Sequence, residues 1–411
     1  MKRNYYWLLA VTLFLQQFLM GGILNNLSSL FTIPVTQSMD ISRSCFALAV
    51  STRGLWLLEA LSFPAFLTRF SYQKTATLLM LTNALALVIM AASKNVVTLA
   101  VGVGLLGLGE GICLQAGPPQ IVRHWFHKHQ GTVLGFITAA TGLGGSALCL
   151  VFSGIIEAKG WQSAFLCGGI LFSLVAVLTF AIIRNHPEEK GLKPYGESQH
   201  TYKKQKVTLK WEGFSMAQLT RMPSFYLLLL GSFFSCFCFY TLWHTIVPHL
   251  RNEGFTAIQA TSVQSALLLV LTCAKLGVGG LCDRIGGKWI ALLCLSCSAA
   301  GLGLMAFSHN TYLMWAAALL LSCGAPLTTL TIPLLTLDLF GYRTQAMAVG
   351  FFMSTVSVGA MVAVPIANAV FDKLGTYRPV YAVAALVTLG LIGLYGSIYL
   401  MVGRAKNKLC V

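Results

Sequence analysis

The stretch 130–160, QGTVLGFITAATGLGGSALCLVFSGIIEAKG, returns 215 residues later as 345–375, QAMAVGFFMSTVSVGAMVAVPIANAVFDKLG. Gln130, Gly135, Phe136, Gly144 and Gly160 fall on Gln345, Gly350, Phe351, Gly359 and Gly375 without a gap, and Glu157 falls on Asp372. The same offset carries Arg69 onto Arg284 and Pro118 onto Pro333. Five identities over 31 positions is a low score in a Gly-rich chain, but the register holds across four consecutive apolar segments. Two superposable apolar halves are the mark of a pseudo-symmetric membrane transporter.

Composition sets the solvent. Of 411 residues 56% are hydrophobic and 10% charged, with a mean hydropathy of +0.74, whereas soluble domains carry roughly 25% charged residues. Apolar segments near 20 residues, the length that crosses a hydrocarbon core of ~30 Å, read as twelve spans. They are 7–32, 44–66, 75–92, 97–121, 131–156, 161–183, 222–249, 257–282, 289–307, 311–336, 346–371 and 378–402. The first is too long for a signal-peptide core and no A-x-A-like site follows it, so it reads as a span rather than a leader.

The net charge of +16 invites a nucleic-acid reading, which its distribution excludes. With a cytoplasmic N-terminus, the loops on that side hold 20 Lys and Arg, the opposite loops hold six, and Arg53 and Lys275 lie inside spans. Without the long linker the count is still 12 against six. This is the positive-inside asymmetry, and it places both termini in the cytoplasm of a multi-pass cell-membrane protein.

The polar segment 184–221, with Pro187, Pro194 and the Lys203, Lys204, Lys206, Lys210 run, divides the chain. It separates a six-helix bundle at 1–183 from a second at 222–411 that ends in a short cytoplasmic tail. Gly107-x-x-x-Gly111 favours close helix approach, and Pro118, Pro119, Pro333 and Pro365 are expected to kink or break their helices. Gly102-x-Gly104-x-x-Gly107 spells a dinucleotide fingerprint but lies inside a span with no strand before it. There is no phosphate loop and no His-Glu-x-x-His. Cys294-x-x-Cys297 reads as helix packing rather than a metal or redox pair. The alternating His124, His127 and His129 read as interfacial solvation. No metal, cofactor or catalytic constellation is called for.

The strongest local pattern is Gly279-x-x-x-Asp283-Arg284-x-Gly286-Gly287-Lys288 at the end of the eighth span. An acid and bases around a tight Gly-rich turn can make charge-assisted bonds to neighbouring helix ends and hold one conformation closed. The pattern resembles the loop signature of the major facilitator superfamily. That family repeats it after spans two and eight; here Arg69 survives in the first copy, with Thr68 in the place of the acid. Arg123-His124-Trp125-Phe126-His127-Lys128-His129-Gln130-Gly131, followed by Gly135 and Gly142-Leu143-Gly144-Gly145, resembles a passage of the monocarboxylate transporter and oxalate:formate antiporter branch. So do Pro187-Glu188-x-x-Gly191-Leu192-x-Pro194-x-Gly196 and Phe371-Asp372-x-x-Gly375-x-Tyr377-Arg378-Pro379.

Charges inside spans are costly unless they face a cavity or a partner. Four occur: Arg53, Glu59, Glu110 and Lys275. Lys275 precedes Asp283 by eight residues, about 12 Å along the helix and well inside the membrane. The resemblance implies that a basic residue of span eight takes the substrate carboxylate, and Lys275 occupies that place. The antiporters' second basic residue, in span eleven, has no counterpart between Gly350 and Val370. Arg53 and Glu110 admit two readings, a structural ion pair or a site in which Glu110 takes the coupling proton. Asn25, Asn26 and Ser29 align by the repeat with Tyr240, Thr241 and His244. The resemblance makes spans one and seven line the cavity.

The expectation is therefore an all-α membrane protein of twelve helices in two pseudo-symmetric six-helix bundles, acting as a monomer by alternating access. It would move a small organic anion, a monocarboxylate, with protons or a counter-anion. Lys275, Arg53, Asn26, Tyr240 and His244 would contact substrate, Glu110 would couple, and Arg69, Asp283, Arg284 and Lys288 would gate. The alternative is a proton-coupled exporter of amphipathic compounds.

Overall fold

The computed structural model describes residues 2–26, 28–55, 71–127, 130–196, 214–327, 336, 339–340 and 345–409. Helices account for nearly all of them: α1 Lys2–Leu19, α2 Ser28–Met39, α3 Arg43–Ser51, α4 Tyr72–Ala91, α5 Val96–Gly107, α6 Gly117–Trp125 and α7 Gln130–Lys159. There follow α8 Trp161–Ile182, α9 Pro223–Asn252, α10 Ala257–Ile285, α11 Gly287–Phe307, α12 Thr311–Gly324, α13 Gln345–Leu374 and α14 Arg378–Leu409. Among the described residues, nine helices are long and apolar enough to cross a bilayer, and the bent pair 96–107 with 112–125 brings the number to ten when counted as one span. The remaining two of the twelve expected spans, the second and the tenth, run into residues outside the described set. The fold is the expected all-α membrane architecture.

Two compact units emerge, Met1–Thr201 with Leu250–Thr272, and Tyr202–His249 with Cys273–Val411. In the first, α4 packs on α8 and α1 on α7, with the Phe31 and Phe165 rings stacked at 4.2 Å. The first half of α10 joins this unit along a row of buried hydroxyls. Ser146 meets Ser265 at 2.8 Å, Ser153 meets Thr261 at 3.1 Å, and Ser29 donates to Gln264 Oε1 at 2.9 Å. In the second unit α11 packs on α12 and α14 around Phe225, Phe340 and Phe352. Without a hydrophobic drive between helices in lipid, such small-residue contacts and hydrogen bonds supply the packing.

The 215-residue register is visible in that packing, because equivalent positions make equivalent contacts within each unit. A Cβ at Gly144 would collide with the Phe18 carbonyl, and one at Gly359 would lie 2.8 Å from the carbonyl of Phe233, the residue equivalent to Phe18. Gly109 admits Leu79 at 2.9 Å, and its counterpart Gly324 admits the Cys294 carbonyl at 2.7 Å. Gly102 meets the Ala86 carbonyl, while the equivalent pair Gly301 and Ala317 makes the same contact with the glycine on the other helix. Each pair is a place where a side chain would force the helices apart.

Three expectations change. The breaks do not fall at Pro118 and Pro119, which sit in the first turn of α6, where a missing N–H costs nothing. The break lies earlier, at Leu108 and left-handed Gly109 (φ 90°), followed by a π-helical turn Glu110–Ala116 and a 41° bend. Pro365 does not break its helix, which runs from Gln345 to Leu374, and Pro333 lies outside the described residues. The first span also departs from a single helix, passing through a π-helical turn at Met20–Asn26. The fingerprint-like glycines 102–107 lie in α5, as packing residues.

His124 is not merely solvated. Residues 184–196 fold back on the first unit: Tyr195 N–H donates to the Trp125 carbonyl at 2.8 Å and His127 N–H to the Tyr195 carbonyl at 2.9 Å. Trp125 Nε1 donates to the Arg184 carbonyl at 2.8 Å, and the His124 ring stacks on His186 at 4.5 Å. Tyr5 and Tyr6 donate to the carbonyls of Ile182 and Lys193. This strap ties the ends of α1, α6 and α8 together.

Candidate substrate and coupling site

Arg53 lies in the 3₁₀ turn Thr52–Leu55 that ends α3, and Glu110 opens the π-helical turn of the fourth span. Their side chains form a bidentate pair, Nε to Oε2 at 3.0 Å and Nη2 to Oε1 at 2.9 Å, the fork geometry that gives Arg–carboxylate pairs their strength. Nη1 donates to the carbonyl of Leu24, in the π-helical turn of the first span. Three segments that have each left α geometry thus meet on one guanidinium. The side chains are 13% and 5% exposed. Gly107 makes the approach possible, because a Cβ there would lie 2.5 Å from the Arg53 carbonyl oxygen.

Broken helices leave carbonyls that must find donors in an apolar surround. Gln17 Nε2 donates to the Cys113 and Leu114 carbonyls at 3.1 and 2.8 Å. With its amide oriented by its surroundings, buried Asn83 donates to Leu106 and Leu108 at 2.9 and 3.2 Å. Gln16 bridges Tyr72 and Thr179. Irregular turns of this kind concentrate at functional sites, and here Gln17 and Asn83 donate to carbonyls on either side of Glu110.

The second unit is built differently. Lys275 stands half-buried in continuous α10, and among the described residues its ammonium has no hydrogen-bond or ion-pair partner. On α9, Tyr240 is half-buried and stacks on buried His244 at 5.6 Å. The side chain of Asn26 is outside the described set, although its backbone belongs to the π-helical turn of the first span; so is all of Arg69 and Glu59. Asp283 and Arg284 lie in the last turn of α10, with their side chains outside the described set. Gly286, at φ 83°, then turns the chain into α11. Lys288 lies over the rings of Trp289 and Tyr399 at 5.4 and 5.9 Å, a cation–π contact. Among the described residues no group of three or more His, Cys, Asp or Glu could hold a metal.

The family model of the Major Facilitator Superfamily matches residues 13–251 and again 228–409. The chain belongs to the major facilitator superfamily. This transporter is 25% identical over 358 residues to monocarboxylate transporter 11 of Mus musculus, covering 83% of this chain and 74% of that one. It is 21% identical over 362 residues to the MFS-type transporter YhjX of Escherichia coli, covering 86% of each. To YcxA of Bacillus subtilis it is 23% identical over 265 residues, 64% of this chain and 62% of YcxA, so that match spans less than two thirds of its relative. Among solved structures, the nucleoside transporter NupG superposes with a TM-score of 0.74 at 14% identity, covering 96% of this chain and 99% of NupG. A bacterial homologue of the human lysosomal transporter Spinster gives 0.70 at 15% identity, covering 98% and 97%. At these identities the structures speak for the fold of this facilitator.

Proposed function

We propose that this facilitator carries a small organic anion, a monocarboxylate, across the cell membrane by alternating access, with proton symport or anion exchange supplying the drive. The observation that carries the reading is Lys275, an ammonium inside a membrane span with no partner among the described residues. An isolated intramembrane cation is costly and is retained where it meets an anion, and a lysine meets it as a compact point charge. The name of the mouse relative supports the same class. Arg53, Asn26, Tyr240 and His244 complete the contact set. Glu110 serves as the coupling carboxylate, since protonating it would release the Arg53 fork. Arg69, Asp283, Arg284 and Lys288 act at the gate. The protein works as a monomer, with both termini in the cytoplasm.

A thermal-shift screen of carboxylates over a pH series, on wild type and Lys275→Ala, tests this. Monocarboxylates should stabilise the wild type and leave the variant unmoved; equal shifts in both would remove Lys275 from the site. Transport lost in Glu110→Gln but kept in Lys275→Ala would instead favour the proton-coupled exporter.

A further inference from the structure

The twelve residues 233–244, FFSCFCFYTLWH, put six large aromatic side chains and a histidine on α9. At about 100° per residue they divide into two faces. Ser235, Cys238, Phe239 and Leu242 line a small cavity inside the second unit with Leu295 and Thr388. Phe233, Phe237, Tyr240 and His244 share a sector of roughly 60° on the opposite side. Their rings run in parallel pairs, Phe233 on Phe237 at 6.3 Å and Tyr240 on His244 at 5.6 Å, each inclined 29°. The stripe is not a lipid-facing surface of the usual kind here. Phe233, Phe237 and Tyr240 are half-buried and His244 is buried, whereas outward residues such as Tyr226, Trp289 and Ile258 are 55–61% exposed.

Two further observations concern the neighbourhood of this stripe. Thr241, beside Tyr240, is fully buried, yet its Oγ1 has no hydrogen-bond partner among the described residues. Thr245, one turn on, shows the usual solution, donating to the Thr241 carbonyl at 2.6 Å and pairing with the Tyr381 hydroxyl at 2.8 Å. A buried hydroxyl left unpaired costs free energy unless another group meets it. The second observation is depth. A four-residue connection after Asn252 joins α9 to α10, and two successive membrane-crossing helices run in opposite directions. Lys275 and Phe233 each stand ten residues from the same end of the hairpin, roughly 15 Å along their helices.

We propose that the anion is an aromatic monocarboxylate, its ring stacked on the Phe233–Phe237–Tyr240–His244 stripe and its carboxylate directed to Lys275. This rests on the reading of Lys275 as the anion contact and narrows it to a substrate class.

The test compares phenylacetate with cyclohexylacetate, equal in charge and close in size, so that the ratio of their affinities isolates the flat π face. Competition against labelled phenylacetate uptake in proteoliposomes reads both. Wild type should prefer the aromatic acid by roughly 2- to 12-fold, the range of one stacking contact. Tyr240→Leu should bring the ratio near one, and Tyr240→Phe should keep it. Equal wild-type affinities, or a ratio that Tyr240→Leu leaves unchanged, would overturn the aromatic assignment while leaving the anion reading standing. Failure of both acids to move at all would overturn the two together.

Discussion

In the first unit Arg53 and Glu110 neutralise each other where three helices leave α geometry, whereas in the second Lys275 stands in a continuous helix without a partner among the described residues. The scaffold beneath them is the same. Gly109 and Gly324 make equivalent helix contacts, yet the next residue is Glu110 in one half and Ala325 in the other. Duplication has kept the backbone contacts and let the charges diverge. The two halves therefore differ in electrostatic role. One half holds its intramembrane charges as a neutral pair, and the other holds a single cation.

The comparison breaks most sharply at the pair. Glu110→Ala leaves a buried guanidinium without its carboxylate and should cost about 3–5 kcal/mol, while replacing both partners with apolar residues should be close to neutral. Unfolding in detergent with denaturant measures both; a mild effect of the single change would mean that the pair is not desolvated as its low exposure implies. Lys275→Met should act in the opposite direction, leaving stability unchanged or raising it by up to ~2.5 kcal/mol, because it removes a charge the span must otherwise accommodate. A large loss of stability there would show that Lys275 has a structural partner. A third test concerns the backbone. Gly107→Ala should cost about 1–3 kcal/mol by pushing against the Arg53 carbonyl. Gly277→Ala on α10, with open space around it, should be neutral or slightly stabilising. Equal thermal stabilities for these two variants would contradict the close approach at the ion pair.

Much of the scaffold was legible in the sequence, because span length, loop charge and the constant offset each follow from the bilayer as solvent. The offset even anticipates which residues touch, as Gly144 with Phe18 and Gly359 with Phe233 demonstrate. The local breaks were not legible. Pro118 and Pro119 are the visible helix breakers, but the chain bends at Leu108 and Gly109, where Gln17 and Asn83 on other helices supply donors for the freed carbonyls. That is a tertiary fact with no local signature. The Arg53–Glu110 pair was readable as one of two alternatives, since two opposite charges in neighbouring spans need each other. The contact of Leu24 with the same guanidinium was not, because a backbone carbonyl has no letter in the sequence. The strap 184–196 was signalled only by its Pro and Gly pattern, and the stacking of His124 on His186 needs the fold to bring them together.

The proposed anion contact stands first on the solitary charge of Lys275. Uptake of a labelled monocarboxylate by proteoliposomes holding wild type or Lys275→Ala, matched for folded protein, tests it most directly. The variant should fold and insert as well as wild type but lose anion uptake. Undiminished uptake by Lys275→Ala would contradict it.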